Sequence, residues 1–392
     1  MATKEKMTLE EKLKLYSEMA IKESGMDEDE IIRQMKKAKA QGIMYKTYAR
    51  FQYWRYPESD WSELPPDTPR RRRIARKIAE EHDRDLLEVE REMFLARKDL
   101  WMQAKTFELF GWDQLDEETR QSYLVPIYTD RMCMEHQLAN ADETLLDDKA
   151  AFNRLFSAYV GRKWFEMDES TSFEEFRDKL QDFDTEEFVV KLLDSYRGIG
   201  ISKYSKSDDL RAIFEEVHTE KRIAEECIVQ HDEMQRLCPE SVNGIRLVCL
   251  YWNDEFHLLY GICRMGAGKG NIADNFSQGG LAVSVDTESG KFNTNAVDKE
   301  GDVYEEHPMS GVHFLGFQVP FWNEVVSLAE DCSKHALKTA GLGYVGWDIA
   351  ITENGPIVIE GNNRPGINMI QLCMLKTYGK GVGYLLKDYL DQ

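Results

Sequence analysis

The stretch GLGYVGWDIAITENGPIVIEGNNRPGINM, residues 341–369, contains two apolar, β-prone segments joined by an Asn-Gly turn. Such a pair of segments is typical of a tight β-hairpin. Asp348 lies in the first segment, and Glu360 and Asn362 end the second, so a hairpin brings the three side chains together. Carboxylate and amide oxygens are hard ligands that suit Mg²⁺, with Mn²⁺ as the alternative ion. The stretch therefore predicts a nucleotide-metal site with Asp348, Glu360 and Asn362 as its ligands.

A solvated hairpin whose acidic residues face water is the alternative interpretation of this stretch. Glu360 and Asn362 directly follow the apolar run Ile357–Ile359, whereas a purely structural strand ordinarily ends in turn residues. The alternation of carboxylate and amide at this strand end therefore favours the metal site.

The length and composition of the chain exclude several classes of protein. Its 392 residues, 42% of them hydrophobic, are enough for two or three packed units. The formal net charge of −21 disfavours nucleic acid or an anionic membrane as a general partner. No apolar run approaches the ~20 residues of a membrane span, and the N-terminus lacks the apolar core of a signal peptide. We therefore expect a cytoplasmic protein with no membrane insertion.

The hydrophobic pattern changes along the chain. Residues 1–110 carry apolar stripes at helical spacing on a highly charged background, which predicts an N-terminal helical region. Residues 111–143 follow as a connector. From residue 144 onward, short β-rich strings alternate with amphipathic helices, which indicates a mixed α and β region.

A second candidate motif lies in this mixed region. The run Phe188–Lys191 predicts a buried strand that ends in a lysine, and a loop with Gly198 and Gly200 follows it. A lysine at a strand end can place its ammonium group on phosphate oxygens, while glycines let backbone amides approach the phosphates closely. A surface lysine beside an ordinary loop is the alternative, and this motif by itself does not decide between the two.

Taken in order, these motifs resemble the ATP-grasp superfamily of enzymes. Within it, the chain resembles the sugar-transfer-associated ATP-grasp branch, which is related to the α-L-glutamate ligases. The segments that carry this closer resemblance lie between about residues 140 and 392 and read DDKAAFNRLF, SVNGIRL, RMGAGKGNIADNFSQGG and VGWDIAITENGPIVIEGNNRPG. The resemblance implies an α+β fold in which two α+β lobes clasp ATP, preceded by the N-terminal helical domain. The smaller lobe would span 144–228, and the C-terminal lobe with the metal site would span 229–392.

The resemblance also implies roles in binding the nucleotide phosphates. Lys149 and Lys191 take the positions of phosphate-contacting lysines. Gly198 and Gly200 belong to the loop that covers the nucleotide. ATP and Mg²⁺ are the implied cofactors.

The adenosine part of the nucleotide has its own implied contacts. Glu225, Glu226 and Ile228 lie on a segment that resembles the hinge between the lobes, which receives adenine. Backbone groups of Glu226 and Ile228 would supply the acceptor and the donor that adenine needs. Asp232 takes the position of an acid that binds the ribose hydroxyls.

Three residues are implied in catalysis and acceptor binding. Arg246 and Asn275 are candidates for contacts in the transition state, because an arginine directed at a transferring phosphoryl group or an oxyanion stabilises its charge where water is excluded. Arg364 is a candidate for holding the carboxylate of the acceptor in a bidentate manner. The sequence fixes no role for His307 or His313.

By this resemblance the chain is expected to be an ATP-dependent carboxylate-amine ligase that acts through an acyl phosphate. It would join an amino acid or amine to the carboxylate of a peptide, a sugar-linked compound or a small metabolite. One alternative is an ATP-grasp phosphotransferase that phosphorylates a hydroxyl. Another is a nucleotide-regulated docking protein whose N-terminal helices carry the function. The sequence leaves the oligomeric state open, with a homodimer among the options.

Overall fold

The computed structural model of the chain describes residues 10–11, 13–14, 17–18, 27–40, 69–193, 200–268 and 276–390. The chain divides into two compact units, Met1–Gln114 and Leu115–Gln392. All seven cysteines are free thiols.

The described part of the N-terminal unit is helical. Its described helices are α1 (Glu28–Ala40), α2 (Pro69–Glu81), α3 (Leu86–Leu100) and α4 (Ala104–Leu109). Helix α3 begins where the Asp85 carboxylate accepts a hydrogen bond from the Glu88 amide, and it ends at Trp101, which is in the left-handed conformation. The first is a typical N-terminal cap of a helix, and the second is a typical C-terminal cap. One face of α3 buries Val89 and Phe94. The expectation of helices preceding the mixed α and β region is therefore confirmed.

The second unit contains helices and two antiparallel sheets. Its described helices are α5 (Glu117–Ser122), α6 (Pro126–Glu135), α7 (Thr144–Asp147), α8 (Lys149–Leu155), α9 (Phe173–Gln181), α10 (Leu210–Val217), α11 (Asp232–Gln235), α12 (Trp322–Ala340), α13 (Asn368–Tyr378) and α14 (Tyr384–Lys387). Its strands are β1 (Trp164–Met167), β2 (Glu187–Leu192), β3 (Ile201–Ser205), β4 (Arg222–Glu226), β5 (Gly244–Trp252), β6 (Glu255–Met265), β7 (Leu281–Val285), β8 (Ala296–Val297), β9 (Val303–Tyr304), β10 (Tyr344–Thr352) and β11 (Gly355–Asn362). Among the described residues, no helix is long and apolar enough to cross a membrane.

The predicted connector contains helices that pack within the second unit. The amide of Leu124 donates to Gln371 Oε1 at 2.8 Å, and the Cys133 thiol donates to the Asn363 carbonyl at 2.9 Å. The segment 115–143 is thus anchored to the C-terminal part of the chain. The bounds 1–110, 111–143, 144–228 and 229–392 stay predictions.

Strands β1 to β4 form the smaller sheet, in the order β1-β4-β2-β3. Helices α9 and α10 contribute Phe176 and Phe214 to a core that also buries Phe188 of β2. Helix α9 begins at Ser172, whose hydroxyl accepts a hydrogen bond from the Glu175 amide. We call this sheet and its two helices the small lobe.

The larger sheet has seven strands in the order β11-β10-β5-β6-β7-β8-β9. Side chains of successive strand residues point to opposite faces of a sheet. On one face, Leu247 and Trp347 pack with α12, and the Trp347 indole donates to the Ser333 hydroxyl at 2.8 Å. On the other face, Arg246 of β5 lies opposite Asp348 of β10. We call this sheet with α12 the large lobe.

A turn between α8 and β1 is docked on β11, which is an edge strand of the larger sheet. The Val358 amide of β11 donates to the Tyr159 carbonyl at 2.9 Å. Gly161 has a φ of +56°, and a Cβ atom at this position would collide with Ile357 Cγ2. Glycine is required here both by the left-handed backbone and by the close approach of the two segments.

Gly161→Ala should therefore destabilise the second unit more than an ordinary substitution of a left-handed glycine. Gly379, with a φ of +63° and open space at its Cβ position, is the matched control. Each substitution should cost about 1–2 kcal/mol for the left-handed conformation. Gly161→Ala should cost a further 1–3 kcal/mol or so, because Ile357 has to move. Urea-induced unfolding of both variants measures the difference, and equal losses would contradict the docking of this turn.

Candidate functional site

The β10–β11 hairpin brings the three predicted metal ligands together. In the antiparallel register, Asp348 lies opposite Glu360, and Gly346 lies opposite Asn362. The Asn362 side-chain amide donates to the Gly346 carbonyl at 3.4 Å, so its oxygen is directed away from that carbonyl. The hairpin thus presents two carboxylates and one amide oxygen from neighbouring positions of one sheet.

Two arginines hold the Asp348 carboxylate. Arg246 Nε donates to Asp348 Oδ1 at 2.6 Å, and Arg246 Nη2 donates to Oδ2 at 2.7 Å. Arg264 Nη2 also donates to Oδ2, at 2.7 Å. Asp348 is only 1% exposed. Burial alone would raise the pKa of Asp348, but the two guanidinium groups hold that pKa below its usual range.

Glu360 has the opposite electrostatic environment. Its carboxylate lies beside Asp348, and Arg246 Nη2 lies 3.8 Å from its Oε1 atom. Loss of contact with water and the negative charge of Asp348 both raise the pKa of Glu360 above its usual range. A cation bound between the two carboxylates would remove this repulsion.

The donors fit a divalent cation that is bound together with a nucleotide. A carboxylate has about four lone-pair positions, and the two arginines donate three hydrogen bonds to Asp348, so most of these positions are already engaged. Within the described ranges, no group of three or more His, Cys, Asp or Glu side chains is arranged to hold a metal. A metal bound by Asp348, Glu360 and Asn362 would take its remaining ligands from water and phosphate, as Mg²⁺ does.

Lys191 is held by a buried carboxylate of the neighbouring strand. Its ammonium group donates to Glu225 Oε2 at 2.5 Å, and Asn153 and Arg162 each donate to Glu225 Oε1 at 2.8 Å. Burial alone would raise the pKa of Glu225, but Arg162 and Lys191 hold it below its usual range. The structure thus places the predicted cofactor residue Glu225 behind Lys191, where it orients the lysine.

Lys149 connects the two predicted parts of the site. It is the first residue of α8, and its ammonium group donates to the Leu193 carbonyl at 3.3 Å. Burial lowers its pKa, the carboxylate of Glu360 opposes that change, and the positive charge of Lys191 adds to it. Helix α8 also packs against β11, so the predicted phosphate ligands Lys149 and Lys191 and the predicted metal ligand Glu360 lie close enough for their charges to interact.

The predicted adenine hinge follows the end of β4. The Glu226 amide donates to the Lys163 carbonyl at 3.1 Å, and the Glu226 carboxylate accepts from the Lys163 amide at 2.8 Å and from the Asp184 amide. An adenine contact from Glu226 would therefore use its carbonyl oxygen. Ile228 lies two residues beyond the strand and is half-buried.

Asp232, the predicted ribose ligand, is exposed at the first position of α11. Its amide donates to Glu353 Oε1 at 2.7 Å, and the preceding His231 amide donates to the Ile351 carbonyl at 2.8 Å. These bonds fasten the start of α11 to β10 and leave the Asp232 carboxylate on the surface.

Arg364, the predicted acceptor arginine, is held by residues from the preceding helices. Its Nη2 atom donates to Glu143 Oε1 at 3.0 Å, and the Asn363 amide group donates to Glu143 Oε2 at the same distance. Its Nε atom lies 3.9 Å from Asp130 Oδ1. An acceptor carboxylate would have to share Arg364 with Glu143.

Two of the predicted site residues, Gly198 and Asn275, lie outside the described residues. Gly200 is described and has a φ of +75°, immediately before β3. The left-handed backbone suits a glycine at the end of the predicted loop.

His307 holds two backbone segments together through its side chain. It is buried, its Nε2 atom donates to the Gly266 carbonyl at 2.8 Å, and its Nδ1 atom accepts from the Met309 amide at 3.2 Å. His313 is exposed, with Nε2 3.7 Å from Glu306 Oε2.

Sequence reasoning assigned no role to Arg264, Arg162 or Asn153. Arg264 lies in the apolar run Gly261–Met265 of β6, and a cation inside a buried strand indicates a buried anionic partner. That signal is present in the sequence. Arg162 and Asn153 lie far along the chain from Glu225, and no local pattern indicates that they meet it.

Comparison with known proteins gives a family match. Residues 136–381, well over half of the chain, match the family described as sugar-transfer associated ATP-grasp. A search of curated proteins found no match to the chain.

The chain is also similar to solved structures at low identity. N5-carboxyaminoimidazole synthetase from Staphylococcus aureus, complexed with ADP, is 12% identical, with a TM-score of 0.37, and the match covers 60% of this chain and 52% of that one. D-alanine–D-alanine ligase from Bacillus anthracis is 19% identical, with a TM-score of 0.35 and coverage of 62% and 65%. Phosphoribosylamine–glycine ligase from Thermotoga maritima is 13% identical, with a TM-score of 0.37 and coverage of 58% and 50%. The chain thus spans less than two thirds of the length of each.

The two carboxylates of the hairpin should respond differently to neutralisation. Asp348→Asn removes the charge that balances two arginines and should cost about 3 kcal/mol or more of unfolding free energy. Glu360→Gln removes a carboxylate whose ionisation is disfavoured in the folded protein, because its pKa is raised. It should leave the melting temperature unchanged or raise it at neutral pH. Thermal unfolding with EDTA present measures both, and equal losses of stability would contradict the assignment of the charge balance to Asp348.

Proposed function

Because the chain belongs to the sugar-transfer-associated ATP-grasp family, we propose that it is an ATP-dependent carboxylate-amine ligase that acts through an acyl phosphate. The observation that carries the proposal is that α8, which begins at Lys149, packs against β11 of the Asp348–Glu360 hairpin, while Lys149 also bonds to Leu193, two residues after Lys191. Cations for phosphate and oxygen donors for a metal are the parts that phosphoryl transfer requires.

In this proposal the lysines bind the phosphates of ATP. Lys191 already has its ammonium group directed by Glu225, so little side-chain freedom is lost when a phosphate replaces or joins that contact. Lys149 approaches from α8 and is partly desolvated, which strengthens its attraction for a phosphate oxygen. Backbone groups of Glu226 and Ile228 would hold adenine, and Asp232 would hold the ribose.

Asp348, Glu360 and Asn362 would hold Mg²⁺. When bound, the ion neutralises negative charge on the phosphate oxygens and fixes their geometry. The chain supplies the ligands on two neighbouring strands, so their spacing is set by the β-sheet register.

The reaction would have two steps. A carboxylate oxygen of the acceptor attacks the γ-phosphorus of ATP and releases ADP, which gives an acyl phosphate. The amine nitrogen of the second substrate then attacks the acyl carbon, loses a proton and expels inorganic phosphate, which leaves an amide. Both steps place negative charge on oxygens beside the hairpin.

Arg246 and Arg264 would stabilise that charge. Their positions are fixed by three hydrogen bonds to Asp348, so they need no rearrangement when the charge develops, and preorganised cations of this kind favour the transition state. Arg364 would bind the acceptor carboxylate, with Glu143 limiting its freedom. Asn275 stays a candidate for a further contact.

The test is the release of ADP and phosphate from Mg·ATP with a panel of amino acids and amines, paired with peptide, sugar-linked and small carboxylates. The product should gain the mass of the amine less one water only when both partners are present, and Glu360→Gln should abolish it. A gain of one phosphate without an amine would instead identify a phosphotransferase. ATP binding without turnover on any pair would favour a docking protein.

Lys191→Met should weaken ATP binding by roughly 10- to 100-fold, because hydrogen bonds to charged groups contribute about 1.5–3 kcal/mol. The matched control is Lys203→Met in the same sheet. Lys203 is 39% exposed and pairs with Glu187 at 2.7 Å, so its loss should leave the ATP affinity within about twofold, as expected for a surface pair. Calorimetric titration with ATP measures both affinities. Equal effects at the two positions would remove the phosphate role from Lys191.

A further inference from the structure

Arg162 is a buried arginine that contacts both lobes of the second unit. Its side chain is only 5% exposed. It lies next to Gly161 in the turn between α8 and β1, the turn that is docked on β11. A buried charge of this kind is costly unless its hydrogen bonds are satisfied.

On the large-lobe side, Arg162 binds the strand that carries the metal ligands. Its Nη1 atom donates to the Val358 carbonyl at 2.9 Å, and its Nη2 atom donates to the Ile359 carbonyl at 3.3 Å. These are the two residues immediately before Glu360. The guanidinium group thus fixes the backbone from which Glu360 projects.

On the small-lobe side, Arg162 binds the carboxylate that orients the nucleotide lysine. Nη2 donates to Glu225 Oε1 at 2.8 Å, and the other oxygen of Glu225 accepts from Lys191. Arg162, Glu225 and Lys191 therefore form a continuous series of hydrogen bonds from β11 to the phosphate-binding lysine.

Only an arginine satisfies these partners together. Its planar guanidinium group offers five donors in a fixed fork, whereas the ammonium group of lysine is a compact point charge. A lysine at this position could pair with Glu225, but it could not also reach the carbonyls of Val358 and Ile359 in the same geometry.

We propose that Arg162 is a positioning residue that couples Lys191, which binds the phosphates, to the strand of Glu360, which binds the metal. The proposal rests on the proposed function. It assigns two separable effects to one side chain. The bond to Glu225 sets the charge around Lys191, and the bonds to the carbonyls of β11 set the position of Glu360.

The two effects predict different results for two variants. In Arg162→Gln, the Glu225 carboxylate loses a cationic partner and holds Lys191 more tightly, so Lys191 is less available to phosphate. ATP binding without Mg²⁺ should weaken by about 10- to 100-fold, the range found when a group that orients a ligand residue is removed. The Mg²⁺ requirement should rise as well, because the strand of Glu360 also loses its donors.

In Arg162→Lys, the charge beside Glu225 is kept and the bonds to β11 are lost. ATP binding in EDTA should stay within about twofold of the wild-type value, since the ammonium group replaces the guanidinium charge. The Mg²⁺ concentration that half-saturates the ATP complex should rise about tenfold or more. A purely structural role would not separate the two measurements.

The experiment is calorimetric titration of the full chain with ATP in EDTA, followed by titration of the ATP complex with Mg²⁺, with thermal unfolding of each variant. The matched control is Arg154→Gln, which removes the same charge from α8. Arg154 is 57% exposed and pairs with the exposed Glu166. Arg154→Gln should change neither the affinity for ATP nor the affinity of the ATP complex for Mg²⁺.

The outcomes separate this proposal from the proposed function. If both variants bind ATP and Mg²⁺ as the wild type does, or lose both affinities in proportion to their melting temperatures, the coupling by Arg162 is wrong and the ligase proposal stands. If the wild-type protein binds no ATP, the proposed function and the coupling fall together. The coupling is supported if Arg162→Lys loses only affinity for Mg²⁺ and Arg162→Gln loses affinity for both ATP and Mg²⁺.

Discussion

The ion pair of Asp348 with Arg246 and Arg264 is the interaction on which the site depends. One buried carboxylate accepts three hydrogen bonds from two guanidinium groups on two other strands. None of these charges is stable in the interior without the others. The group therefore fixes the lateral order of β10, β5 and β6 and, at the same time, fixes two cations beside Glu360. The side chains that balance charge in the fold are thus the same ones to which the proposed function assigns the stabilisation of phosphoryl charge.

The small lobe repeats this arrangement with different residues. Glu225 is a buried carboxylate held by Arg162, Lys191 and Asn153, and its burial is tolerated because these donors surround it. In both lobes an acid in a strand interior fixes the basic groups that the proposed reaction uses. The two networks approach each other through Arg162, so hydrogen bonds, and not apolar contact alone, determine where Lys191 lies relative to the predicted metal ligands.

The local parts of this site could be predicted from the sequence, and the long-range parts could not. The hairpin of Asp348, Glu360 and Asn362 follows from a turn signal and strand alternation, which act within about ten residues. The helices of the N-terminal unit follow from periodicity in the same way. The partner of Lys191 was not predictable, because the pairing of β2 with β4 depends on a register that spans 34 positions. Arg264 carried a signal, a cation inside an apolar strand, whereas Arg162 in its turn carried none.

The docking of the Tyr159 turn on β11 has a consequence for the behaviour of the protein in concentrated solution. An edge strand with unpaired amides and carbonyls is a template for strand addition from another chain. Here the Val358 amide is bound by Tyr159, and the Val358 and Ile359 carbonyls are bound by Arg162. The middle of this edge is thus closed to intermolecular β-pairing by the chain itself. The same few bonds that hold the site together also protect its outermost strand from aggregation.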